Sequence, residues 1–574
     1  MKTTRIFGLV WSLLRKGERQ SALILGVYLI IGTVLEVLSV GVLVPLIQVL
    51  TQSNLQSKYP MINRIFPNST DQFIVVTILV SVIGIFILKE LFLGFSLWMQ
   101  RGFVARLETR FQSDLFDRYT SQPYEFHLTN NSSLLSRNIL NSTNFCNNIL
   151  DPMFMLLTDG FVTIALCVLL VAIEPMAMLL TICSVGAVAG IFHGFSKRRI
   201  VQWGAERQLQ DGIKLQQLIE TFGGIKEIAM TGRVEYFQRR FSSSIGQLAH
   251  LNRKFTMLLG IPRLYLELLS VAGLAALVLS MLAMGKTLES LLPLLALFAG
   301  GAFRLMPAIN RITFAFQSLR MGRPIVEALQ TNISSQDFFE LKNRNLIPVE
   351  FMHSVRFENV TYSYPNAERP VIDGLNFEIV KGSEVGIVGT TGAGKSTLVD
   401  ILLGLLRPDR GQVTVDGVDI ATNIRGWQDL VGYVPQSIFL MDSSIRANIA
   451  FGIDENEIDD KKVMRALNFA QLTDLVDELP NGMYEFVGER GVRLSGGQRQ
   501  RIGIARALYL DPPILVFDEA TSALDVATEK EVMKSIERIR AGRTIVIVTH
   551  RLSALEKCDQ LITIGTGTIS SLQG

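Results

Sequence analysis

Gly389-Thr390-Thr391-Gly392-Ala393-Gly394-Lys395-Ser396 decides the reading of the second half of this chain. It follows a short strand-like run over 384–388 and opens an apolar helix-like run over 397–406. Glycines in such a strand-to-helix turn let backbone N–H groups close around phosphate oxygens. The lysine then reaches the outer phosphates, and the serine hydroxyl is placed to ligate Mg2+. Residues 389–397, Thr397 included, form the expected nucleotide-binding loop, which implies ATP with Mg2+ as cofactor.

Two further stretches sharpen this. Ile514-Leu515-Val516-Phe517-Asp518-Glu519 reads as a buried strand ending in two carboxylates, the place for a metal-coordinating Asp518 and a water-polarising Glu519. Leu494-Ser495-Gly496-Gly497-Gln498 precedes it. That pentapeptide resembles the signature sequence of ATP-binding cassette (ABC) ATPases, and the rest of the family's set stands in order around it. The resemblance implies that Tyr364 stacks on adenine and that Gln436, in Val434-Pro435-Gln436, senses the metal and the attacking water. It also makes Val487-Gly488-Glu489-Arg490-Gly491 an exporter-specific loop and Ser522-Ala523-Leu524-Asp525 a loop that crosses to a partner ATPase. His550 becomes the γ-phosphate contact. Phosphoryl transfer needs positioning and charge stabilisation above all, so Lys395, Gln436, Glu519 and His550 are the expected catalytic set, with Ser396, Gln436 and Asp518 around the metal. In this family Ser495 and Gly497 complete the facing ATPase's site, with Gly496, Gln498 and Asp525 beside them. One motif set per chain therefore implies a homodimer.

The first half reads differently. At 574 residues with 48% hydrophobic residues, and a mean hydropathy of +0.33, the chain is too apolar for two soluble domains. Apolar runs over 21–51, 73–99, 150–173, 176–195, 256–284 and 288–318 each reach the ~20 residues that span a bilayer as a helix. The expected fold is thus an α-helical membrane bundle of six spans (1–330), a polar linker (331–347) and an α/β P-loop ATPase (348–574). Basic residues crowd the amino-terminal segment and the long connections over 100–149 and 196–255, while the connections near 174 and 286 carry almost no charge. The positive-inside rule then puts the termini and the ATPase in the cytosol and the bundle in the cytoplasmic membrane. By position, Gln122-Pro123-Tyr124-Glu125-Phe126 and Gly224-Ile225-Lys226-Glu227-Ile228 resemble the short coupling elements of ABC exporters. No cleavable leader is expected at the amino terminus, because the first 20 residues are basic and only patchily apolar. Cys146, Cys167, Cys183 and Cys558 have neither metal nor disulfide spacing, and a net charge of +3 gives no reason to expect nucleic acid.

Charged residues inside the spans are the only direct clue to cargo. Lys89, Arg263, Arg304 and Arg311 fall there, the last two on one helical face. A central Arg or Lys costs roughly 2.5–3.5 kcal/mol on insertion scales, so four total about 10 kcal/mol unless water, ligand or carboxylates meet them. Glu36 and Glu267 are the internal partners in view, and neither lies in the span of Arg304 and Arg311. A basic stripe in a cavity suits phosphate or pyrophosphate. With a short amphipathic stretch, Tyr59-Pro60-Met61-Ile62-Asn63-Arg64-Ile65-Phe66, this resembles the bacterial flippases of lipid-linked oligosaccharides and implies an anionic lipid-linked cargo such as a polyprenyl-pyrophosphate oligosaccharide. Exporters of lipid A, drugs or peptides share everything else, and a membrane-anchored regulatory ATPase that moves nothing is the reading from another class.

Overall fold

The computed structural model describes residues 3–42, 71–173, 175–283, 288–334, 349–365, 367–520, 534, 536–538, 542–550, 555–556, 558–565 and 567–573. The stretch 59–66, most of the linker and the loop 522–525 with Asp525 lie outside them. The chain divides into two compact units, one of 1–122 with 129–338, the other of 339–574 together with Pro123–Leu128.

The first unit is helical throughout: α1 (Thr3–Leu13), α2 (Lys16–Gly41), α3 (Asp71–Thr120), α5 (Ser132–Phe145), α6 (Asp151–Ile173), α7 (Pro175–Gly223), α8 (Ile225–Thr231), α9 (Val234–Ala283), α10 (Leu288–Met321) and α11 (Arg323–Ser334), with a π-helical turn over Cys146–Leu150. The short α4 (Tyr124–Thr129) belongs, but for its last residue, to the second unit. Where described, each of the six expected spans lies on a helix, with 43–51 of the first outside the described residues. Among the described residues four stretches are long and apolar enough to cross a membrane, namely Lys16–Ser39, Val75–Thr120, Ser132–Ala172 and Val234–Gly273. The other two expected spans lie on the continuous α7 and α10. At 1.5 Å per residue, a helix the length of α3, α7 or α9 runs about 75 Å, against a hydrocarbon core of about 30 Å. The surplus is polar. On α3 it carries Arg110, paired with Glu18 at 2.5 Å, and Asp114, which accepts from Arg15 at 2.9 Å, so the start of α2 is fastened to α3.

Inside the bundle α10 packs along α6 and α2 along both α3 and α6, with Val162, Leu166, Leu170 and Leu305 forming a buried seam. Lipid is as apolar as these side chains, so their contribution is close packing rather than escape from water. The closest approach is at Gly204 of α7, where a Cβ would sit 2.5 Å from the Met321 carbonyl oxygen. Only glycine fits there.

The second unit contains an antiparallel sheet, β2 (Ile372–Val380), β1 (Ser354–Tyr362), β4 (Arg410–Val415) and β5 (Val418–Asp419), in that order. Its second sheet runs β10 (Thr568–Gln573), β9 (Gln560–Gly565), β3 (Glu384–Gly389), β8 (Thr544–Val548), β7 (Ile514–Asp518), β6 (Val431–Val434). All neighbours there are parallel except β10 on β9. Every residue of β7 and β8 is buried, which is why both read as unbroken apolar runs. Helix α12 (Lys395–Leu402) leaves the end of β3 through the glycine loop. Trp427, fully buried, holds the far end of α12 by donating its indole N–H to the Leu402 carbonyl at 2.6 Å. Trp427→Ala should cost about 3–5 kcal/mol and orphan that carbonyl. A marked drop in the thermal unfolding midpoint of the full chain in detergent is the expected reading.

Candidate functional site

The carboxyl ends of β3, β7 and β8 converge, and the candidate residues hang from them. Loop 390–394 turns back on itself because Gly392 and Gly394 adopt φ of +83° and +100°, which side chains resist. Space is limiting too: a Cβ on Gly389 would lie 2.5 Å from the Ile564 carbonyl oxygen, and one on Gly394 would lie 2.9 Å from Ile372 Cδ1. Lys395, itself buried, donates from Nζ to the carbonyls of Gly389 at 2.8 Å and Thr390 at 3.2 Å, so its ammonium sits over the loop. Ser396, next in line, is exposed.

Asp518 closes β7 opposite Val548 of β8 and is buried. The following residue breaks the strand: Glu519 takes φ +46°, a conformation costing a non-glycine residue about 1–2 kcal/mol. Its N–H donates to the Val548 carbonyl at 2.8 Å, which anchors the kink. The carboxylate is thereby thrown sideways, where Oε2 accepts from Gln436 Nε2 at 2.8 Å and Oε1 lies 3.6 Å from His550 Nδ1. Three residues separated by long stretches of sequence thus share one carboxylate.

Tyr364 is half-buried and shares a hydrogen bond with the Thr397 hydroxyl at 3.0 Å, which places an aromatic face beside the phosphate loop. The signature residues stand at the start of a different helix, α13 (Gly496–Leu508). Ser495 and Gln498 form a reciprocal capping box, with Ser495 N–H donating to Gln498 Oε1 at 2.8 Å and Gln498 N–H to Ser495 Oγ at 3.2 Å. Gly496 has open space beside it, Gly497 is buried, and Ser495 is exposed.

Two residues that carry no motif belong to the same centre. Tyr433 donates its hydroxyl to Asp518 Oδ2 at 3.4 Å. Asp400 on α12 is pushed up to about 6 by burial first and by the Asp518 charge second. Asp518 is raised in turn, by burial and then by Glu519, with Lys395 opposing. Among the described residues no cluster of three or more His, Cys, Asp or Glu could hold a metal by itself. The donor set of an exposed serine hydroxyl, one buried carboxylate and a glutamine fits Mg2+, which keeps most of its shell for water and phosphate oxygens.

Inside the spans the four basic residues do not form an unpaired stripe. Arg311 donates Nε and Nη2 to the two oxygens of Asp159 on α6, at 2.8 and 2.6 Å. Arg304 pairs with Glu36 on α2. Arg263 pairs with Glu267 one turn on, at 2.8 Å, and Lys89 with its neighbour Glu90, also at 2.8 Å. The reason is the desolvation cost of a lone charge, met for Arg304 and Arg311 by carboxylates from other helices and for Arg263 and Lys89 by carboxylates on their own. Asp159, a carboxylate inside the expected third span, was the available signal.

Comparison with known proteins now has geometry to rest on. The ABC transporter transmembrane region model matches residues 22–293, and the ABC transporter model matches 372–522. This chain joins the transmembrane region and the ATPase of the ABC transporters in one polypeptide. The ATP-dependent lipid A-core flippase of Ralstonia nicotianae is 29% identical over 461 residues, covering 79% of this chain and 77% of that protein. A protein of the same name from Methylobacillus flagellatus is 32% identical over 362 residues, 63% of this chain and 59% of its own length. Among solved structures, a bacterial Atm1-family ABC exporter with ATP bound superposes with a TM-score of 0.78 at 23% identity, over 97% of this chain and 96% of that one. It is therefore a multi-pass membrane protein whose ATPase hydrolyses ATP to drive transport.

Burial gives this ATPase a pH signature. Asp400 titrates near 6 when folded and near 3.9 when unfolded. With the folded value the higher, its carboxyl is harmless while protonated and destabilises as the pH rises through that window. Asp400→Asn should therefore raise the unfolding midpoint at pH 8, by ~2–4 °C for each kcal/mol relieved, and leave it unchanged at pH 4.

Proposed function

We propose that this exporter is an ATP-driven flippase of an anionic glycolipid of the lipid A-core class, working as a homodimer in the cytoplasmic membrane with its ATPases in the cytosol. The observation that carries the reading is the run of relatives named lipid A-core flippases, matched over as much as 89% of this chain. The membrane charges fit it. Arg304 and Arg311 are tied to carboxylates, so they supply directional donors rather than a large net positive field. Arg311 spends Nε–H and one Nη2–H on Asp159, and among the described residues its other N–H groups remain as donors for a phosphorylated headgroup. The same guanidinium edge supports a second reading, a polyprenyl-pyrophosphate oligosaccharide as cargo.

In the ATPase, the loop N–H groups and Lys395 bind and neutralise the phosphates. Mg2+, held by Ser396 and Asp518 with Gln436 at its edge, would supply further charge neutralisation there. Glu519 orients the attacking water and takes its proton. Gln436 fixes the angle of that carboxylate, and His550 on its other side reaches the terminal phosphate. Tyr364 stacks on the base. Ser495 and Gly496, exposed at the start of α13, complete the partner's site together with Gly497, Gln498 and Asp525.

Glu519→Gln keeps the shape and an acceptor for Gln436 but removes the proton acceptor. Steady-state hydrolysis should fall at least ~100-fold while ATP binding, read by nucleotide fluorescence, is retained. A variant still turning over near the wild-type rate would refute the assignment. For cargo, purified protein in vesicles should flip and be stimulated by lipid A-core. Stimulation by a polyprenyl-pyrophosphate glycan alone would establish the second reading. Stimulation by amphipathic cations or peptides alone, or by nothing at all, would remove both.

A further inference from the structure

The second compact unit includes a piece of chain far from it in sequence, Pro123–Leu128, which forms most of α4. What holds this piece beside the nucleotide loop is a row of aromatic and hydroxyl groups that joins Tyr362, which no motif describes, to Tyr364 and Thr397. Tyr362, at the end of β1, is 2% exposed, and its hydroxyl donates to Glu125 Oε1 at 3.4 Å. Its ring meets that of Tyr364 edge-on, with centroids 5.2 Å apart and planes at 85°. The Tyr364 hydroxyl in turn shares its bond with Thr397, next to Ser396. On the other side of α4, Tyr124 lies in the field of both Asp400 and Tyr364, each of which, after burial, raises its phenol.

We propose that Tyr362 is a positioning residue that makes α4 and the nucleotide-contacting face of Tyr364 one mechanical body, through its hydroxyl on Glu125 and its ring on Tyr364. The inference rests on the assignment of Tyr364 to the nucleotide.

Three physical points support it. A buried tyrosine hydroxyl needs a partner, and Glu125 is the one Tyr362 has among the described residues. An edge-to-face pair has a preferred geometry, so a ring moved at Tyr364 carries its neighbour with it. Finally, β1 is clamped on both sides by β2 and β4, which leaves the Tyr362 side chain little freedom except through these two contacts. A phenylalanine would fill the same space and keep the ring contact, but it would leave Glu125 without this donor. The hydroxyl is therefore separable from the packing.

Tyr362→Phe in the full-length protein in vesicles tests this. Basal ATPase and the KM for ATP should stay within about twofold of wild type. ATP-dependent protection of residues 123–129 from hydrogen exchange, read in the Glu519→Gln background so that nucleotide stays bound, should be lost. Glu125→Ala should give the same loss, Glu125→Gln should restore most of the protection, and combining Tyr362→Phe with Glu125→Ala should add nothing. Wild-type protection in Tyr362→Phe, or additive losses in the double variant, would overturn the proposal. The readout needs no cargo, so its failure leaves the flippase reading standing. A failure of flipping with protection intact would do the reverse. If Tyr364→Ala leaves ATP affinity unchanged, the premise about Tyr364 fails, and the proposal with it.

Discussion

Backbone N–H groups repel one another and are held on one point only where no side chain crowds the turn. That constraint governs the ATPase. Gly389 leaves β3 against the Ile564 carbonyl, and Gly392 and Gly394 take left-handed conformations. Helix α12 can then start where the loop closes, with Lys395 folded over it. The buried parallel strands exist, in effect, to hold that loop and the two carboxylates of β7 at one edge. Glu519 shows the same economy: a single unfavourable φ, anchored by one hydrogen bond to β8, separates its carboxylate from that of Asp518 and turns it toward Gln436 and His550.

A second constraint governs the helical unit. Lipid offers nothing to an ion, so every charge described inside the spans meets its opposite. The resulting pairs join α10 to α2 and to α6, and they fix which helix faces which as surely as packing does. Removal of one partner strands the other, at an expense of about 3–5 kcal/mol for a buried pair. The pairing of Arg304 and Arg311 cancels bulk positive charge and leaves the geometry around each satisfied pair.

Much of this was legible in the amino-acid order. The loop 389–396, the apolar strands at 384–388 and 514–518 and the long spans are local patterns, and local patterns survive in one dimension. The shared carboxylate of Glu519 was visible only as three separate residues placed by resemblance. Asp159 and Arg311 lie 152 positions apart, and Glu36 is more remote still from Arg304, so nothing near either arginine announces its partner. Tyr433, Asp400 and Tyr362 are single residues outside any motif, and their roles come from what the sheet brings beside them. The carboxylates that meet Arg304 and Arg311 could not be assigned in advance because a search along one helix cannot see the carboxylates of the next.

The glycine crossing at Gly204 and Met321 has a mechanical meaning. At Gly204 the backbone of α7 meets the backbone at the end of α10 directly, so the two share a fulcrum rather than a cushion at that point. Because one arm of α7 extends about 40 Å from that point, a tilt of about 10° swings its tip by roughly 7 Å. Small rotations at the crossing become lever strokes at the far end of the helix.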